Sequence, residues 1–204
     1  MKCIISVEGN IGAGKSTLIE CLRNKYGDKI AIIEEPVNEW TKGDNLLNLF
    51  YKAPLVYAYQ FQKLVLKTMI DAVTKEIENG DKKIIVCDRS YISASETFAS
   101  VLHDEGILTD EEYYKLKHFT RYTNIYTQHV YLRTSPETCF NRIQKRARKE
   151  ENKVSLTYLK SIHEKHDVWL KDKNHIVLDG EKDFINDEDV KEDYINKILS
   201  LTHK

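Results

Sequence analysis

The sequence predicts an α/β fold in which a parallel sheet is covered by helices on both faces. Two observations carry that reading: five short, branched apolar runs bounded by polar residues, and between them stretches of the length that crossover helices need. The runs are Lys2–Glu8, Ile30–Glu34, Lys83–Asp88, His129–Arg133 and His175–Asp179. A helix over Lys15–Lys25 follows a glycine-rich loop. Pro54 stands at a first-turn position of a helix reaching Asn79. Thr109 and Glu112 form a capping box for a helix to about Thr123. Ser135-Pro136 opens another to about Lys149, Leu156–Lys171 follows, and Asn186 caps the last. In such a sheet, function is expected at the carboxyl ends of the strands.

With 204 residues, 41% hydrophobic and 31% charged, the chain has the length and balance of one globular domain, read as residues 1–204. Its formal net charge of −1 argues against a nucleic-acid polymer as partner, because such binders carry a basic excess. No apolar run approaches the ~20 residues that span a bilayer, so no membrane partner is expected. Met1-Lys2 runs straight into Cys3–Val7, without the pattern of a signal or transit peptide. Cys3, Cys21, Cys87 and Cys139 lie far apart and read as reduced thiols, mostly filling core space. A cytoplasmic setting is the expectation.

The first run is followed by Gly9, Asn10, Ile11, Gly12, Ala13 and Gly14, then by Lys15, Ser16 and Thr17 at the start of a helix. That is the Walker A spacing in the strand–loop–helix context it requires. The glycines permit backbone conformations in which successive N–H groups converge on phosphate oxygens, and the helix N-terminus adds its dipole. Lys15 is placed to reach the β- and γ-phosphates of ATP, and the Ser16 hydroxyl to ligate Mg²⁺. A glycine-rich turn that binds nothing is the alternative, and the surrounding elements argue against it. GTPase switches share the loop but need an NKxD; Asn24-Lys25-Tyr26-Gly27 comes nearest and lies on the wrong element. Motor and transport ATPases are usually much longer, so a small-molecule kinase is favoured.

Four more constellations bear on chemistry. In Glu34-Glu35-Pro36, the proline forces an extended conformation that holds the Glu35 carboxylate at a strand end, where it could accept a hydroxyl proton; a solvated loop acid is the alternative. Tyr59, Gln62, Leu66, Met69 and Val73 share one helix face, and Gln62, beside Phe61, offers the donor and acceptor that a nucleobase edge needs. A hydrogen bond from Gln62 to a neighbouring carbonyl would explain it equally. Asp88-Arg89-Ser90 ends the third run: the acid can approach Mg²⁺, and the arginine can hold developing phosphoryl charge, or the two form a structural ion pair. Arg142, Lys145, Arg146, Arg148 and Lys149, followed by Glu150-Glu151, suit a lid over phosphates as well as a solvated face. His163 and His166 lack a nearby third metal ligand and read as surface or core histidines.

Taken together, the strings GNIGAGKST (9–17), EPVNEW (35–40), NLLNLFYKAP (45–54), FQ (61–62), DRS (88–90), YLRTSPETC (131–139), RIQKRARKEE (142–151) and HEKHDVWL (163–170) resemble the deoxyribonucleoside kinase family, which includes deoxycytidine, deoxyguanosine, mitochondrial-type thymidine and insect multisubstrate enzymes. The resemblance spans Lys2 to about Phe184. It implies a P-loop kinase three-layer sandwich with a five-stranded parallel sheet and an arginine-rich lid over about residues 142–155. The implied reaction is ATP- and Mg²⁺-dependent phosphorylation of a deoxynucleoside 5′-hydroxyl, by a homodimer subject to feedback inhibition. Glu35 then matches the general base, Arg89 the arginine beside the hydroxyl, and Gln62 the base-pairing glutamine. Trp40, Phe61 and Phe98 match pocket walls. Tyr51 and Glu151 match the 3′-hydroxyl pair, with Tyr51 also crowding a 2′-hydroxyl. Arg142, Arg146 and Arg148 match the lid arginines, with Arg146 and Lys15 joining Glu35 and Arg89 in catalysis, and Asp183-Phe184 falls at the adenine-contacting loop.

Three positions depart from the family. Asp88, a metal-binding candidate with Ser16, replaces the usual glutamate, as Asp-Arg does in herpes-type thymidine kinases. Ser95 stands where arginine is common, and Ser155 replaces a lid-side proline. Members preferring deoxycytidine or purines carry arginine and aspartate at the positions of Met69 and Ala94; here both are uncharged, as in thymidine-accepting members, which leaves room for a 5-methyl group and predicts pyrimidine deoxynucleosides, thymidine and deoxycytidine, as the better substrates. The rival readings are a thymidylate-kinase-like nucleotide kinase, which needs no base such as Glu35, and a silent nucleotide-binding regulator.

Overall fold

The computed structural model describes residues 2–123, 125–148, 151, 154–171 and 173–203, with the backbone alone at 203. All five apolar runs form strands: β1 (Cys3–Glu8), β2 (Ile30–Ile33), β3 (Ile84–Asp88), β4 (Gln128–Arg133) and β5 (His175–Asp179). Every pairing is parallel, in the order β2-β3-β1-β4-β5. Helices α1 (Lys15–Tyr26), α2 (Val37–Trp40), α3 (Leu46–Lys52) and α4 (Pro54–Asn79) precede β3. After it come α5 (Tyr91–Ser93), a π-helical turn (Ala94–Ala99), α6 (Ser100–Asp104) and α7 (Asp110–Arg121). Helices α8 (Pro136–Arg146), α9 (Leu156–Leu170) and α10 (Glu188–Ser200) complete the α/β arrangement.

Strand alternation explains why the sheet is covered twice. Ile5 and Val7 of β1 face a core shared with Leu18 and Leu22 of α1 and Ile195 and Ile198 of α10. Ile4 faces the opposite side, with Ile85 and Cys87 of β3 and Val73 of α4. Burying one such aliphatic side chain contributes about 1.5–3 kcal/mol, so these two layers dominate the stability of the sheet. The four cysteines are free thiols; Cys87 and Cys139 are buried, as a core role requires, while Cys3 and Cys21 are only partly so. Among the described residues no helix is long and apolar enough to cross a membrane.

Helix ends mostly follow their local signals. Thr109 forms the expected capping box with Glu112 at the start of α7. The Ser135 hydroxyl accepts from the Thr138 N–H at 3.2 Å to start α8. That helix stops at Arg146 rather than near Lys149, because Ala147 turns left-handed at φ 48°. At α10 the cap is Asp187, not Asn186: its carboxylate accepts from the N–H groups of Asp189 and Val190, at 3.1 and 3.2 Å. A charged acceptor complements the helix dipole better than an amide. Asn186 instead donates to Asp183 at 2.8 Å. The short α2, α3, α5 and α6 and the π turn leave no periodic signal in the sequence, since segments of one or two turns are too brief to display a period.

The register sets the site. Val7 lies opposite Asp88 and Glu8 opposite Tyr131, so the ends of β1, β3 and β4 stand level. The chain leaves β1 towards β2 on one side, and leaves β3 towards β4 on the other. These divergent exits open a cleft between β1 and β3.

Candidate active site

The loop after β1 curls at this cleft. Gly12 and Gly14 adopt φ values of 78° and 103°. A β-carbon on Gly12 would lie 2.6 Å from the Cys139 carbonyl oxygen, so only glycine fits there. Lys15 is buried and donates to the Asn10 carbonyl at 3.0 Å. Burial, then the nearby Arg89 charge, push its pKa down to about 8. Asn10 ties the loop to α9 by donating to the Leu159 carbonyl at 2.7 Å. The Ala13 carbonyl accepts from Thr134 at 3.1 Å and from Arg142 at 2.8 Å, which ties the loop to the end of β4 and to α8. Arg142 also donates to the Gly180 carbonyl at 3.0 Å.

Across the cleft, the Ser16 hydroxyl donates to Asp88 Oδ2 at 2.8 Å, so the shorter carboxylate does reach the loop. Asp88 Oδ1 is buried without a hydrogen-bond partner among the described residues. Arg89 follows in a left-handed conformation, φ 69°, which costs a residue with a β-carbon about 1–2 kcal/mol. Its Nε lies 2.7 Å from Glu35 Oε1, its guanidinium sits 4.8 Å above the Phe98 ring, and it also donates to the Gly9 carbonyl. Burial raises the pKa of Glu35, while the Arg89 charge pulls the other way.

A second group of residues forms an apolar wall. Phe61 stacks on Phe50 at 4.9 Å and meets the edge of Trp40 at 5.9 Å. Trp40 is anchored by its indole N–H, which donates to Thr68 at 2.9 Å. Met69 and Ala94 are buried in the same cluster. Gln62 is the polar exception: it is 3% exposed, and its Oε1 has no hydrogen-bond partner among the described residues. An orphaned amide oxygen costs about 1–3 kcal/mol, which a ligand donor would recover. The ring of Tyr51 tilts against Phe50 at 5.2 Å and also packs on the cluster under the loop, together with Tyr158.

Of the lid candidates, Arg142 and Arg146 stand on α8 and Arg148 just beyond its end. Arg146 donates from Nε to Glu151 at 2.7 Å, and Arg148 lies 3.9 Å from the same carboxylate. Lys149 and Glu150 lie outside the described residues, as do 152 and 153 within the expected lid. Phe184 is buried against Tyr194, with its ring beside Gly14; Asp183 is exposed and accepts from the N–H groups of Ile185 and Asn186. Thr17 is exposed on the first turn of α1.

Three features escaped the sequence reading. Glu8, which in the sequence marks only the end of a strand, is fully buried and accepts from the Ser90 N–H at 2.9 Å. Burial alone would raise its pKa, but His129 and the Ser90 N–H hold it at about 2. Its position directly before Gly9 was the available signal. Tyr158 and the π turn carrying Ala94 and Phe98 had none. His166 is a core histidine: it stacks on Tyr131 at 5.7 Å, and burial holds its pKa at about 3.

A deoxynucleoside kinase family model matches residues 5–203. The chain is 36% identical over 214 residues to a probable deoxycytidine kinase of fowlpox virus, covering 97% of this chain and 87% of that protein. It is 31% identical to deoxycytidine kinase 2 of Gallus gallus, over 97% of this chain and 89% of that one. With the mitochondrial thymidine kinase 2 of Homo sapiens it shares 34% identity, over 83% and 64%.

Proposed function

This chain belongs to the deoxynucleoside kinase family, and from that membership we propose how its cleft works. The enzyme phosphorylates deoxynucleosides, taking the phosphoryl group from ATP. In our reading Glu35 accepts the proton of the substrate 5′-hydroxyl as that oxygen attacks the γ-phosphorus, and the bond to the β-phosphate bridging oxygen breaks to release ADP. Arg89 orients Glu35 and faces the developing charge. Lys15 and the loop N–H groups hold the phosphates, and Arg142, Arg146 and Arg148 close over them. Arg146 must then exchange its present partner Glu151 for phosphate, which frees Glu151 for the sugar 3′-hydroxyl beside Tyr51. Asp183 and Phe184 flank the adenine, a reading supported by the contact of Phe184 with the loop at Gly14.

Ser16 and Asp88 fit a magnesium ion, since one carboxylate oxygen already meets the hydroxyl and the other is buried without a partner among the described residues. Those two residues would hold the ion, which when bound offsets charge on the β- and γ-phosphate oxygens.

The base lies along the Trp40–Phe61 wall, with Phe98 opposite, and pairs with Gln62. Met69 and Ala94 carry no charge and leave room for a 5-methyl group, which supports a preference for thymidine and deoxycytidine; the named relatives are deoxycytidine and thymidine kinases. The whole chain acts as one domain with residues 142–155 as its lid. It works as a cytoplasmic homodimer, for which exposed Tyr114 and Phe119 on α7 and Tyr122 at its C-terminal cap offer apolar surface.

The observation that carries the mechanism is the Arg89–Glu35 contact beside the phosphate loop. Its test is a kinase assay over the four natural deoxynucleosides and their ribose counterparts, with wild type and Glu35→Gln. Robust turnover by Glu35→Gln would remove the base from this scheme.

A further inference from the structure

We propose that Glu8 is a positioning residue: its buried carboxylate holds the Ser90 N–H and so keeps Arg89 in the left-handed conformation that aims its guanidinium at Glu35. The proposal rests on the roles given above to Glu35 and Arg89.

Left-handed backbone at an arginine persists only where its surroundings over-determine it. Here two successive residues of β1 grip the two successive N–H groups at that turn. The Val7 carbonyl accepts from the Arg89 N–H at 3.1 Å, and Glu8 Oε1 accepts from the Ser90 N–H at 2.9 Å. Ser90 is pinned from the other side as well, because its carbonyl accepts from the Ser93 hydroxyl at 2.8 Å. With the turn held, the Arg89 side chain leaves β3 towards Gly9 and Glu35 instead of continuing along the strand.

Desolvation of the Glu8 carboxylate has to be offset by specific partners. It is fully buried at the end of the central strand, and its second oxygen has no hydrogen-bond partner among the described residues. A buried carboxylate that is only half satisfied calls for an explanation beyond packing. His129 does not supply one by a hydrogen bond: its Nδ1 lies 3.7 Å from Glu8 and bonds the Ser6 hydroxyl at 2.8 Å instead. Among the described residues the hydrogen-bond donor to Glu8 is the Ser90 N–H, and His129 acts on the carboxylate only across 3.7 Å.

Two conservative variants separate this role from a purely electrostatic one. Glu8→Gln keeps an acceptor oxygen at the same reach without the charge; Glu8→Asp keeps the charge and withdraws the acceptor by one methylene. The clamp predicts that Glu8→Gln keeps kcat with thymidine within about threefold, with KM equally close. Glu8→Asp should lower kcat roughly 100-fold, the scale of an ångström-sized misplacement, and leave KM for thymidine nearly unchanged because base and sugar are held elsewhere. The reverse order, or an unaffected Glu8→Asp, overturns the proposal. If circular dichroism shows Glu8→Asp unfolded, Glu8→Gln decides alone: retained kcat upholds the clamp and a large loss ends it. Glu35→Gln is measured in parallel. Full activity there removes the site assignment and the clamp together, whereas an inactive Glu35→Gln beside an undisturbed Glu8→Asp removes the clamp only.

Discussion

Glu35 sits where two opposing influences meet: burial raises its pKa above the ordinary 4.5, and the Arg89 guanidinium opposes that rise. As the proposed base it must be ionised, so kcat should fall with acid along a limb centred above 4.5, measured between pH 4.5 and 8. Glu35→Gln should lower kcat by about 10²–10⁴ and flatten that limb. A limb that persists unchanged in the variant belongs to another group. Base choice is argued at the same scale. Introducing Met69→Arg together with Ala94→Asp places charges within the Trp40–Phe61 cluster and should move kcat/KM away from thymidine. Unchanged ratios among the four deoxynucleosides would refute the assignment of those two positions.

Elements translate local sequence into position. The phosphate loop depends on glycine at one point above all, where φ is 78° and the Cys139 carbonyl crowds any β-carbon. Gly12→Ala should therefore weaken ATP binding, read by titration of the nucleotide, while deoxynucleoside binding is spared. Helix α7 offers a contrast, because its capping box is far in sequence from the catalytic loop. Thr109→Ala should cost about 1 kcal/mol in denaturant unfolding and leave kcat alone. The strands, the loop and this cap were legible in the sequence because each is written in contiguous residues. The π turn was not. Its widened backbone brings Phe98 under Arg89, and such a turn is decided by what it packs against.

At the scale of the whole molecule, buried titratable groups couple stability to pH. His166 has a folded pKa of about 3 against an ordinary 6.5, so between those values the unfolded chain binds a proton that the folded one refuses. Stability therefore falls as pH drops through that window. Glu8, at about 2 against 4.5, stabilises the fold above 4.5 and loses that contribution as pH falls towards 2. Urea unfolding as a function of pH should show both slopes, and His166→Leu should remove the one that begins near 6.5. A variant with the wild-type slope would shift that role to other groups.

The sequence by itself determined the five strands, their longer wrapping helices and the phosphate loop, and it named the residues proposed above to carry the chemistry. Periodicity and loop spacing depend on neighbours in the chain, so they can be read before folding. Only the tertiary structure decided that Glu8 is buried, that Arg89 turns left-handed, that Arg89 grips Glu35, and that Gln62 keeps an orphaned oxygen. Each follows from parallel pairing of β1 with β3, or from helices packed across the cleft, which bring distant residues together. Burial and strain are set by such partners, and no local stretch of sequence contains them.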